Sequence, residues 1–230
     1  MERANTGTDE VRVVGPTALD AVDARIFEAS GATRVAGDVR AAEVSLAGAT
    51  EIADDLDAGS LTAEGALEVG GTFEVDDGTV DGSIEAGGRA LVGSVTLTGG
   101  ASFRGLAGDG LTATGRLEAS DVAVDEVSIR GGVDADSVVG ESIDIVLESD
   151  SGRVGRLEGT TVTVSRGDGT GGLTADIVRG EELRLEGVRA EEVIGERIHL
   201  GPGCAVETVR AGELSVDDGA TVGRRLDLDG

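Results

Sequence analysis

The chain has 230 residues, 39 of them Gly, with 3 Phe and neither Trp nor Tyr. Against 45 Asp and Glu stand 19 basic residues, all Arg, for a formal charge of -26. An aromatic content of 1% excludes an aromatic-built core and stacking platforms for nucleic acid, whose phosphates this charge would repel. A hydrophobic content of 39%, spread evenly as Val, Leu, Ile and Ala, is too high for a disordered acidic tail.

Residues 1–10 read as a flexible polar tail without the apolar stretch of a secretory signal. No run approaches the roughly 18 apolar residues of a membrane span, so the expectation is a cytoplasmic chain without direct membrane insertion. From residue 11 to residue 230 one pattern repeats. Apolar or Gly pairs at i and i+2 occur at Val22/Ala24, Val39/Ala41, Leu56/Ala58, Phe73/Val75 and Ala90/Val92, and onward to Val209/Ala211, mostly in steps of 16 or 17. Five residues after each first member lies a second pair, from Phe27/Ala29 and Val44/Leu46 to Ile198/Leu200 and Leu214/Val216. Every member of both sets is apolar or Gly, where composition alone would make little more than half of them so. A third, weaker pair follows, as in Thr50/Ile52, Leu67/Val69, Cys204/Val206 and Ala220/Val222.

One side chain in, one out and one in is the period of a strand, and Gly, Asp and Ser between the pairs mark turns. Three short strands per rung predict an all-β fold: a single-stranded parallel β-helix, triangular in section, of about 12 rungs of 16–17 residues. The steps lengthen from Val138 to Leu157 and from Leu157 to Val178, which predicts loops at 147–153 and 165–172 bulging from two corners of one continuous domain.

The outward positions suggest contacts. Ser45, Thr62, Thr79, Thr96, Thr112 and Ser128 form a polar row suited to an exposed flat face. Leu91, Ala107, Ala123 and Val139, with Ile194 further on, are apolar outward residues and candidates for lateral contact. Val11 and Val13 at one end, and Leu226 and Leu228 at the other, lie on rungs with no visible cap, so both ends are expected to stack on other copies.

No catalytic constellation stands out, and no catalytic, cofactor or metal residue is expected. His199, between inward Ile198 and Leu200, points outward; Cys204 takes an inward position as a small buried hydrophobe. Carboxylate pairs such as Asp54/Asp55, Asp76/Asp77 and Asp217/Asp218 read as solvation. The rival readings are a hexapeptide-repeat-like β-helical acyltransferase, whose rung would be a strict 18 residues, and a β-helical carbohydrate-binding surface protein.

Gly-punctuated rungs such as Gly131-Gly132-Val133-Asp134-Ala135-Asp136-Ser137-Val138 and Val193-Ile194-Gly195-Glu196-Arg197-Ile198 resemble those of the bactofilin family of polymer-forming cytoskeletal proteins. The resemblance implies a right-handed helix, nucleotide-free polymerisation through terminal contacts, and support of cell shape. It also implies a homopolymer whose link to the membrane or envelope would run through an adaptor protein. The chain departs from the family in having more rungs than is usual. Its acidic excess matches a salt-adapted, halofilin-type member of the kind found in haloarchaea.

Overall fold

The computed structural model describes residues 5–148, 151–167 and 170–228. Among them there is no helix. Eleven strands form one parallel sheet coiled into a β-solenoid of about 13 turns. The strands are β1 (Asn5–Val14), β2 (Thr17–Leu19), β3 (Val22–Val35), β4 (Val39–Ile52), β5 (Leu56–Val69), β6 (Phe73–Leu147), β7 (Gly152–Arg166), β8 (Leu173–Leu185), β9 (Val188–Leu200), β10 (Ala205–Val216) and β11 (Thr221–Asp227). The chain divides into two compact units, Met1–Ala113 and Thr114–Gly230.

In the first unit the turns stack with a shift of 17 residues: Val39 lies beside Leu56, Val44 beside Leu61, and Ile52 beside Val69. The buried residues of β4 are Val39, Ala41, Val44, Leu46, Thr50 and Ile52, the six inward positions of the sequence pattern. Because each column runs up through equivalent sites, like packs on like, and small branched side chains fill a narrow core without large rings. The three Phe lie here, and Phe73 and Phe103 meet in a tilted contact with ring centroids 6.2 Å apart.

One corner of this unit is a glycine ladder. Gly31, Gly48, Gly65, Gly82 and Gly99 all have positive φ, from 106° to 135°. A Cβ on Gly65 would sit 2.3 Å from the Gly48 carbonyl oxygen, so only Gly permits both this backbone and this stacking distance. At another corner acidic side chains tie successive turns together. The backbone N–H of Thr72 donates to Asp55 Oδ1 at 2.7 Å, and that of Asp55 donates to Asp38 Oδ1 at 3.4 Å.

One turn precedes the twelve read from the sequence. β1 begins at Asn5, so residues 5–10 of the supposed tail pair with β3, Asn5 beside Val22 and Glu10 beside Ile26. Strand pairing needs only backbone donors and acceptors, so polar side chains did not signal it. Residues 1–4 lie outside the described residues. Val11 and Val13, expected to open the first strand of their rung, pair with Phe27 and Ala29 and occupy the second face instead.

Within the second unit the turns stack in parallel register, and its two long steps arise at one corner rather than two. Ile145 pairs with Val164 on the second face, and Val154 with Ala175 on the third, so both insertions lie between those faces. The strands end at Leu147 and Arg166 and resume at Gly152 and Leu173, and of the expected loops residues 149–150 and 168–169 lie outside the described residues. The cause is local: at the position held by Gly131 in the preceding turn stand Leu147 and Arg166, which pair with each other. Without a glycine the tight corner is closed to the chain, and extra residues carry it round. The segments brace one another, since the Gly171 N–H donates to the Glu148 carbonyl at 2.9 Å.

Candidate assembly surfaces

The sequence nominated side and end surfaces. Leu91 is 36% exposed between buried Ala90 and Val92, and Val139 is 39% exposed between buried Val138 and half-buried Gly140, so both stand outward on their strands. Ala107 is half-buried, Ala123 exposed and Ile194 half-buried. Leu91 and Ala107 belong to the first unit, Ala123 and Val139 to the second. The Ser and Thr row is likewise exposed, from Ser45 to Ser128.

At the first edge, β1 and β2 both pair with β3 and have no other neighbour among the described residues. Val11 is buried, Val13 and Leu19 are half-buried, and Val14 is 79% exposed. Behind this edge Thr17, Thr33 and Thr50 share a column. The Thr17 hydroxyl donates to the Gly15 carbonyl at 3.2 Å, whereas the buried hydroxyls of Thr33 and Thr50 have no hydrogen-bond partner among the described residues.

At the other edge β11 pairs, among the described residues, only with β10. The inner residues of these last turns, Leu214, Val216 and Val222, are only half-buried, in contrast to their buried counterparts Ile198, Leu200 and Val206. Arg225 lies beside Val209, Leu226 beside Arg210, and Asp227 beside Ala211. Leu226 therefore shares the outer row with Arg210, and charged residues take the inner row. Leu228 is 37% exposed. A step of 16 from Val209 leads to Arg225, a charged residue, so the apolar pairs of the earlier turns do not extend to this strand.

Other side chains with chemical potential are accounted for by their surroundings. His199 Nε2 lies 3.3 Å from Asp217 Oδ2, in a shallow open groove bordered by Glu182, Arg184, Arg197 and Glu213. Cys204 is buried, and its thiol donates to the Leu185 carbonyl at 3.1 Å. Burial pushes this thiol up from its ordinary pKa, with hydrogen bonding from the backbone at Val188 and Gly187 opposing. A second groove holds Asp134, Asp136, Arg153 and Asp176, with Gly155 between Asp136 and Asp176. Among the described residues no three His, Cys, Asp or Glu are placed to hold a metal ion. No helix there is long and apolar enough to cross a membrane.

Sequence reasoning missed three features. The inner pairs Gly152/Val154, Leu173/Ala175 and Val188/Ala190 went unread because the insertions disturb their spacing. The Asp38–Asp55–Thr72 ladder was legible only as turn residues. The Arg166 guanidinium lies so close to Gly187 and Gly203 that a Cβ on either would meet it within 3 Å, a contact with no sequence signature. The chain matches no family model, no curated protein and no solved structure.

Proposed function

We propose that this protein is a non-enzymatic scaffold that self-assembles through the edges of its β-solenoid, without nucleotide, as a cytoplasmic structural polymer of the bactofilin kind. The observation that carries the reading is the state of the two outermost turns. Both present a free strand edge among the described residues, with core columns ending in half-buried Val13 and Leu19 on one side and Leu214, Val216 and Val222 on the other. A free edge is a row of unpaired backbone donors and acceptors beside apolar surface, and another strand satisfies both at once. The exposed Leu91 and Val139 offer side contacts, and a link to the envelope would require an adaptor protein. The charge of -26 keeps copies apart at low ionic strength, so assembly belongs to concentrated salt, where screening contracts to about 3 Å at 1 M.

The test is sedimentation with negative-stain microscopy of the purified chain across 0.1 to 3 M KCl (roughly the range over which screening becomes complete), with no nucleotide present. Polymers that disappear in Val13→Asp support the reading. A single monomeric species at every salt concentration overturns it. That outcome would favour a ligand-binding solenoid, for which the groove beside His199 is the supporting observation.

A further inference from the structure

The carboxylate pair Asp217/Asp218 belongs to none of the surfaces above, yet its second member stands in a chemically distinct place. Asp218 precedes Gly219, and an Asp–Gly peptide is open to attack on its own side chain because glycine has no Cβ to shield its amide nitrogen. Six Asp–Gly bonds occur in the chain. Four lie among the described residues: Asp77–Gly78, Asp81–Gly82, Asp109–Gly110 and Asp218–Gly219.

The first three lie inside β6. Ring closure brings the glycine nitrogen against Cγ of the aspartate before it, and a strand holds those two atoms out of line until it opens locally. Stacking opposes that opening. A Cβ on Gly82 would collide with the Gly65 carbonyl oxygen, and one on Gly78 would lie 2.8 Å from Val95 Cγ2, so neither peptide can swing without displacing a neighbouring turn. Asp218–Gly219 instead forms the turn between β10 and β11, outside any strand, with both residues exposed. Gly219 has a φ of +87°, and a Cβ there would meet no described atom within 4 Å. This turn has the freedom that the strands withhold.

We propose that Asp218 is a site of spontaneous modification, converting to isoaspartate through a succinimide formed with Gly219. In the first step the Gly219 nitrogen attacks Cγ of the protonated carboxyl. The N–Cγ bond forms, the Cγ–OH bond breaks, and the hydroxyl leaves as water with the proton of the nitrogen. In the second step water attacks the former backbone carbonyl carbon of Asp218. The bond from that carbon to nitrogen breaks, the hydroxyl stays on the carbon, and the proton returns to nitrogen. One water leaves and one is taken up, with no oxidant or cofactor. The chain then runs through Cγ and is one methylene longer, where the Gly203 N–H donates to the Gly219 carbonyl at 3.1 Å and the Thr221 N–H to the Cys204 carbonyl at 2.8 Å. The longer backbone loosens the entry to β11 and draws Asp217, whose Oδ2 lies 3.3 Å from His199 Nε2, away from the imidazole. The inference is independent of the self-assembly reading.

The test is prolonged incubation of the purified chain in molar KCl below its melting temperature, followed by peptide mapping, with methylation by an isoaspartyl methyltransferase as the probe. Isoaspartate at 218 should exceed that at 77, 81 or 109 at least about tenfold, because the strand sites must first open. In denaturant the four bonds should react alike. Asp218→Glu, whose longer side chain closes the ring poorly, should lose the modification at this site. As the native product accumulates, the ring signals of His199, the only histidine, should split into a second set, and exchange of the Thr221 amide should quicken. Neither should change in Asp218→Glu. Asp168–Gly169 and Asp229–Gly230 lie outside the described residues and are mapped separately. Isoaspartate as abundant at a strand site as at 218 overturns the proposal, as does its absence at 218 in the folded chain when the denatured chain forms it there. Modification at 218 that leaves His199 and the Thr221 amide unchanged overturns the effect assigned to the turn.

Discussion

Gly65 shows how much of this fold depends on the backbone rather than on side-chain chemistry. Its φ of +115° and the carbonyl oxygen 2.3 Å from any added Cβ leave no room for alanine without displacing the turn below. Gly65→Ala should cost at least about 1–3 kcal/mol, read as a fall in melting temperature, while Gly100→Ala, with open space around it, should cost far less. Asp55 acts through a hydrogen bond that bridges two turns, and Asp55→Ala should cost about 1 kcal/mol by chemical denaturation. Cys204 supplies a pH dependence. Its folded pKa is raised by burial, so the folded chain holds the thiol proton where the unfolded chain loses it. That contribution to stability is complete below the ordinary thiol range and is lost as pH rises from that range through the raised folded value. Cys204→Ser should flatten the alkaline part of the stability profile, and the native thiol should react with a maleimide only after unfolding.

At the level of strands, each turn touches only the turn above and the turn below, so stability is a sum over neighbours and declines toward an edge. Hydrogen exchange should be fastest in β1, β2 and β11, which have one neighbour each, and slowest in β4, β5, β8 and β9, which have two. Uniform protection along the chain would contradict this. Leu56, fully buried in β5, should lose about 2–5 kcal/mol on conversion to Ala, because a column of stacked side chains cannot collapse sideways to close the gap. The insertions after Ile145 and Val164 illustrate the opposite tolerance. The flanking strands stay in register across them, so lengthening either segment costs only slowly growing loop entropy.

For the molecule as a whole, the charge of -26 sets the conditions under which everything else operates. The surface ion pairs, such as Arg12 with Glu28 at 2.6 Å and Arg210 with Glu192 at 2.9 Å, engage only part of an acidic excess of more than two to one. The remainder repel one another over about 10 Å at 0.1 M salt and about 3 Å at 1 M. Melting temperature should therefore rise steadily with KCl, and self-association should follow the same trend. A melting temperature independent of salt would show that this repulsion does not limit the fold.

The two-residue alternation and the step of 16 or 17 were enough to predict an all-β solenoid and nearly all its inner positions, because a repeated pattern states the same rule in every turn. Val39, Ala41, Val44 and Leu46 were identifiable as core from spacing alone. Prediction weakened wherever the rule was stated only once. The polar strand Asn5–Glu10 pairs through its backbone, the inner pairs after the insertions lost their spacing, and the step from Val209 falls on the charged Arg225. The sequence by itself therefore determined the class of fold and the two faces of each strand, since both follow from local alternation. Only the tertiary structure decided that both insertions leave by one corner, that Arg225 and Asp227 stand in the inner row, and which strands remain without a second neighbour. Those are matters of register between turns, settled by hydrogen bonds between residues 15 to 21 positions apart that no local pattern records.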